Sequence, residues 1–321
     1  MAEMAHGAPR VWRGLGAWVA LLALAAWALP ARALPPGLHE IRLQHAGQER
    51  RALVHVPAKP AEGPAPLVLA LHGGGGHAEF MADDERYGLI GAAEREGFVV
   101  AFPNGFSRLP RGRLATWNAG GCCGAARDRG SDDLGFLRAL VERVASEHAI
   151  DRRRVLATGM SNGGMMAYRL ACEAADLVAG IVPVAGTEPF AEAAACKPSR
   201  PVNVLHIHAR DDGHVLFGGG AGPDAVDRKH IMDFVSVPET VARWRTRLAC
   251  RAETEVVLER PGARCLRHPG CQGGVELQWC VTETGGHSWP GAQVVRRGKA
   301  PASGALDANE RLAALLRALP R

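Results

Sequence analysis

Residues 154–171 read Arg154-Val155-Leu156-Ala157-Thr158-Gly159-Met160-Ser161-Asn162-Gly163-Gly164-Met165-Met166-Ala167-Tyr168-Arg169-Leu170-Ala171. The run up to Thr158 is short, apolar and bounded by charge, which suits a buried strand, and the run from Met165 suits a helix. Ser161 therefore stands at a strand-to-helix junction, with Gly159 and Gly163 two positions to either side. Such a turn lifts a serine out of the end of a sheet as a nucleophile. Small neighbours are expected because the backbone turns sharply there, at a φ costly for any side chain bulkier than glycine. The five-residue pattern alone is a weak signal, so its meaning depends on what accompanies it.

Upstream, Pro66-Leu67-Val68-Leu69-Ala70-Leu71 is continuously apolar and ends at His72 and four glycines. Such a strand is buried on both faces. Further strands are expected near 38–44, 51–56, 98–102, 179–185 and 203–208, and alternation continues at 254–259 and 275–282. Helical periodicity covers 84–96, 132–148 and 239–249. A last helix opens at Asp307, with Glu310 three residues on as a reciprocal cap, and runs to about Leu319. Strand and helix alternate through the middle of the chain, which specifies an α/β fold with a mostly parallel central sheet and helices on both faces. The Gly- and Pro-rich stretches 57–66, 103–130, 213–223 and 285–304 read as loops at the sheet ends, where such folds build their sites.

The first residues carry Arg10 and Arg13, then an apolar stretch from Leu15 to Leu29, then Ala31-Arg32-Ala33. This reads as a cleaved signal peptide over residues 1–33, its apolar run shorter than the roughly 20 residues of a permanent span. No cysteine precedes Cys122, which argues against a lipid anchor. Residues 34–321 then form a single domain that is secreted, with no membrane contact after cleavage. The formal charge of the whole chain is +5. No Lys/Arg block with interleaved aromatics appears, so nucleic acid is excluded as a partner. Eight cysteines in an exported chain favour disulfides. Cys265–Cys271 and Cys250–Cys280 are the expected bridges, with the other four cysteines unassigned.

A serine hydroxyl needs a histidine to take its proton and a carboxylate to hold that imidazole. Downstream of Ser161 stand His206-Ile207-His208-Ala209-Arg210-Asp211-Asp212 and then Gly285-Gly286-His287-Ser288-Trp289-Pro290-Gly291. The order serine, acid, histidine is that of α/β-hydrolases. Asp211 and Asp212 lie just past a buried strand, and glycines bracket His287. The backbone amides of Gly74, in the glycine run, and of Asn162, after the serine, are the expected oxyanion donors. Trp117 and Trp289 flank the loops and are expected as apolar walls for substrate.

The stretches LHGGGG (71–76), WNAGGCCG (117–124), DDLGFL (132–137), ATGMSNGGMMAYRLAC (157–172), HIHARDD (206–212) and GGHSWPG (285–291) together resemble the secreted esterases that include polyhydroxybutyrate depolymerase-like and feruloyl esterase-like enzymes. The resemblance runs from about residue 50 to the final helix. It implies an α/β-hydrolase fold, Ser161 as nucleophile, His287 as general base and then acid, and an orienting aspartate in an H-G-x-x-D pattern. That pattern runs from His208 to Asp212, with Ala209 in place of its glycine, and favours Asp212 over Asp211. Asp132-Asp133 resembles the aspartates before Gly-Phe-Leu in that family and is expected to cap a helix. The reading requires no cofactor and no metal. The substrate it implies is a small or oligomeric ester: a hydroxyalkanoate oligomer, a short-chain ester or a feruloyl ester.

Two rival readings remain. His206, His208 and His214 with Asp211 and Asp212 form a dense cluster that could hold zinc in a metal-dependent hydrolase, although its spacing departs from the H-x-H-x-D-H pattern. A secreted binding module that had lost catalysis would lack a member of the triad, and none is missing.

Overall fold

The structure is a computed structural model and describes residues 34–225, 233–296 and 298–320. The expected signal peptide lies outside the described residues. Ten strands occur among them: β1 (Gly37–His45), β2 (Gln48–Val56), β3 (Ala65–Leu71), β4 (Val99–Pro103), β5 (Ile150–Met160), β6 (Gly180–Val184), β7 (Asn203–Ala209), β8 (Glu255–Arg260), β9 (Ala263–His268) and β10 (Leu277–Thr282). The helices are α1 (Ala78–Met81), α2 (Asp84–Tyr87), α3 (Leu89–Glu96), α4 (Gly124–Asp128), α5 (Asp133–Glu147), α6 (Asn162–Glu173), α7 (Val237–Arg247) and α8 (Ala308–Ala318).

All strands join one sheet in the order β1-β2-β4-β3-β5-β6-β7-β10-β9-β8. The six from β4 to β10 run parallel, and the outer strands on both sides are antiparallel. Every residue of β3 is buried, as its apolar run requires of a central strand. Leu67, Leu69, Leu71, Val155 and Ala157 face one core with α5, α6 and α7, while Val68, Ala70, Val100, Phe102 and Leu156 face another with α3 and α8. The period of two along each strand thus divides the apolar residues between two helical layers. No helix among the described residues is long and apolar enough to cross a membrane.

Three details differ from expectation. The helix over 84–96 is broken at Gly88, whose φ of 62° ends α2 and starts α3; a left-handed residue interrupts the helical hydrogen bonds. Strand β9 falls where Arg264 and Arg267 interrupt any apolar alternation around Cys265. The cysteine pairing also changes, because the bridges are Cys250–Cys271 and Cys265–Cys280, joined by Cys172–Cys196 and Cys122–Cys123. Antiparallel pairing of β9 with β10 sets Cys265 directly opposite Cys280, which removes both from the expected partnerships. Cys250 just after α7 then meets Cys271 just after β9.

Candidate active site

Strands β3, β5, β7 and β10 are all parallel and end on the same edge of the sheet, so the loops that follow them meet there. They carry the glycine run, Ser161, Asp212 and His287 in turn.

Ser161 caps the start of α6 with φ 57° and ψ −121°, a region that non-glycine residues occupy only when the surroundings enforce it. Its amide donates to Val184 O at 2.8 Å and its carbonyl accepts from Met165 N at 2.9 Å. The positive φ belongs to the serine itself, and the flanking glycines serve another purpose. A Cβ on Gly159 would lie 2.6 Å from Leu71 O, and one on Gly163 would collide with the same carbonyl. Gly186, which sequence reading passed over, would collide likewise with Ser161 O. The elbow is therefore packed backbone to backbone against the ends of β3 and β6.

The glycine loop lies on that elbow. A Cβ on Gly73 would sit 3.6 Å from Ser161 Cβ, and one on Gly74 would sit 3.7 Å from Asn162 Cβ. The Gly75 amide donates to Ala115 O at 2.8 Å and the Gly76 amide to Gly73 O at 2.9 Å. The amides of Gly74 and Asn162 stand on adjoining backbones beside Ser161. His72 anchors the loop: its Nδ1 bonds to Gly73 O at 2.8 Å and its Nε2 accepts from the Gly105 amide at 2.9 Å. Since a carbonyl only accepts, Nδ1 carries the proton and the ring is neutral. Burial pushes its pKa down to about 4.

Trp117 was expected in the substrate wall and is not there. It is fully buried and does not line the cavity. Its indole donates to His72 O at 2.9 Å, and its backbone amide and carbonyl bond to Asn162 Oδ1 and Nδ2 at 2.7 and 3.0 Å. It braces the glycine loop and the elbow together. Asp132 caps α5 as expected, accepting from the Gly135 amide at 2.9 Å. Asp133 does not cap; buried, it pairs with Arg50 at 2.7 Å and accepts from the Asn118 amide at 2.8 Å.

On the other side, His287 Nδ1 donates to Asp212 Oδ2 at 2.8 Å. Asp212 Oδ1 accepts the amides of His214 and Val215 at 2.8 and 3.0 Å. Burial alone would raise this carboxyl, but the charge of His287 and hydrogen bonds from His208 and His287 outweigh it and hold the pKa well below the usual range. Asp211 is exposed and accepts the Gly286 amide at 2.8 Å, so it orders the histidine loop. The histidines named for zinc are each engaged in other contacts, although the rings of His206 and His208 stack 5.3 Å apart. His206 shares a 2.9 Å hydrogen bond with the Tyr168 hydroxyl, His208 Nε2 donates to Val215 O at 2.9 Å, and His214 stacks on His287. Among the described residues no group of three or more His, Cys, Asp and Glu is placed to hold a metal ion.

Ser161 and His287 line one cavity of about 370 Å³, together with the glycine loop, Asn162 and His214. Phe80, Tyr87, Met160, Met165 and Trp289 give it apolar walls. Trp289 is 2% exposed and meets Tyr87 edge-on at 5.5 Å. Of these five only Trp289 stood out in the sequence: Phe80 and Tyr87 come from separate elements that the fold brings to the site, and Met160 and Met165, beside Ser161, read only as strand and helix positions.

A family model described as esterase PHB depolymerase matches residues 51–221. The chain belongs to the esterase PHB depolymerase family. Within reach of this family chain is a putative esterase, NocK, of Nocardia uniformis subsp. tsuyamanensis, 33% identical over 77% of the chain and 72% of the relative. Feruloyl esterase B of Piromyces equi is 29% identical over 74% of the chain, which spans only 42% of that relative. Among solved structures, an acetyl xylan esterase from Aspergillus awamori superposes with a TM-score of 0.56 at 16% identity, over 78% of the chain and 94% of its own length. The family member shares its α/β-hydrolase fold with that enzyme.

Proposed function

We propose that the chain is an exported serine esterase in which Ser161, His287 and Asp212 form the catalytic triad. The observation that carries this reading is the 2.8 Å bond from His287 to the buried Asp212, on the wall of the cavity that Ser161 also lines. With Nδ1 donating to the carboxylate, His287 presents Nε2 as the base. The Ser161 hydroxyl attacks the ester carbonyl carbon as its proton passes to Nε2. The negative charge on the carbonyl oxygen is met by the Gly74 and Asn162 amides, fixed before the reaction begins. Collapse breaks the C–O bond, and the alcohol leaves with the proton from His287. Water then repeats the sequence on the acyl-serine and releases the acid.

The cavity lies in the size range of small-molecule sites. Its apolar walls, Trp289 included, suit a short acyl chain, a hydroxyalkanoate unit or an aromatic acid such as ferulate. Four disulfides among the described residues, together with the leader-like N-terminus, support export to an oxidising compartment. Ser161→Ala is expected to reduce hydrolysis of 4-nitrophenyl butyrate by at least about 10³-fold, with the remainder due to the oxyanion donors. A variant that retains more than a tenth of the rate would remove Ser161 from this role.

A further inference from the structure

The cavity holds two imidazoles whose rings stack 4.5 Å apart with planes inclined by 17°. His287 has a carboxylate behind it. His214 has a backbone carbonyl, its Nδ1 lying 3.2 Å from Asp224 O. A carbonyl oxygen only accepts, so Nδ1 of His214 carries the proton, and in a neutral ring that leaves Nε2 as a lone-pair acceptor. No partner of Nε2 occurs among the described residues, and His214 lines the cavity beside the base. The same residue fixes the acid, since its amide donates to Asp212 Oδ1 at 2.8 Å. Asp224 is held in turn, its amide bonded to Gly213 O and its carboxylate to Lys299 at 2.9 Å.

We propose that His214 is a substrate-contacting residue whose Nε2 accepts a hydrogen bond from a hydroxyl group on the alcohol portion of the ester, next to the oxygen that His287 protonates. The proposal rests on the triad reading above. In that reading the departing oxygen lies at His287 Nε2, and a hydroxyl on the adjacent carbon of the alcohol comes within hydrogen-bond reach of the neighbouring ring, whose centroid is 4.5 Å from that of His287. The geometry therefore favours esters of polyols and sugars, which carry a hydroxyl beside the ester oxygen, over esters of simple alcohols. Burial and the charge of His287 keep His214 neutral, with a pKa of about 4, so the acceptor persists at neutral pH. The stacked ring also restrains the plane of His287 while it gains and loses its proton.

Glycerol 1-monobutyrate and propyl butyrate test this, because they share the acyl group and chain length and differ in the hydroxyls. The wild type is expected to favour the glycerol ester in kcat/KM by about fivefold to tenfold, the value of one hydrogen bond between neutral partners. His214→Phe keeps a ring to stack and loses the acceptor, so the ratio of the two substrates should fall to about one. His214→Gln keeps an acceptor and should retain part of the preference. Each ratio is taken within one protein preparation, so a partly unfolded variant lowers both rates and leaves the ratio intact. A wild-type ratio near one, or an unchanged ratio in His214→Phe, overturns the proposal while leaving the triad reading standing. Failure of the wild type to hydrolyse either ester or 4-nitrophenyl butyrate would overturn the triad reading and this proposal with it.

Discussion

The two sides of the cavity are held by different means. On the serine side, position comes from the backbone: a Cβ on Gly159 or Gly163 would strike the carbonyl of Leu71, and Ser161 sits at a φ of 57° held by that packing and by its own amide and carbonyl hydrogen bonds to Val184 and Met165. On the histidine side, position comes from side-chain bonds, with Asp212 to His287, Asp211 to Gly286, and the Ser288 hydroxyl to Gly285 O at 2.6 Å. Lesions in the glycine packing of the serine side should therefore damage the fold. Lesions on the histidine side should damage the reaction and spare the fold.

The largest effect falls on the histidine side. Asp212→Asn should lower kcat on the order of 10³–10⁴-fold, because the amide no longer holds the productive imidazole tautomer. Asp211→Asn keeps an acceptor for the Gly286 amide and should change kcat by less than about tenfold; equal losses in the two variants would erase the distinction between the aspartates. Next comes Gly163→Ala, whose methyl group meets backbone that cannot move aside, with an expected destabilisation of about 3 kcal/mol in urea unfolding. Wild-type stability in that variant would show that the elbow is not locked by packing. The smallest effect is one of pH. Fully buried His72 has a pKa of about 4 when folded, against 6.5 when unconstrained, so the unfolded chain binds more protons between those values and stability falls as pH drops through the window. Between pH 7 and pH 5 the loss from this ring is about 2 kcal/mol. It should appear as a stability gap between wild type and His72→Asn that narrows on acidification; a gap independent of pH would contradict a neutral His72.

Much of the parallel sheet was legible because β3, β5 and β7 are buried runs with a distinctive composition; Ser161 was read from its glycine-flanked junction and His287 from its glycine-bracketed loop, while the end of β7 left Asp211 and Asp212 both open and only the family resemblance favoured Asp212. Strand β9 was not legible. Its buried Ala263, Cys265 and His268 alternate irregularly with Arg264 and Arg267, and an outer strand has little apolar pattern to show. Missing β9 also hid the disulfide pairing, since Cys265 finds Cys280 through strand register. Trp117 was misplaced for a related reason. Its type fits a substrate wall or a core equally well, and only the convergence of His72 and Asn162 on it decides. The stacking of His214 on His287 depends on two loops separated by more than a whole strand-and-helix unit, which no local pattern encodes.

The proposed reaction stands or falls on Ser161 as the nucleophile of an acyl-enzyme. Its most direct test is to label the oxidised protein with a fluorophosphonate and locate the adduct by peptide mass spectrometry. One stoichiometric adduct is expected on Ser161, absent from Ser161→Ala and slowed on the order of 10³-fold or more in His287→Ala. An adduct on any other residue, or labelling of Ser161→Ala at the wild-type rate, would contradict it.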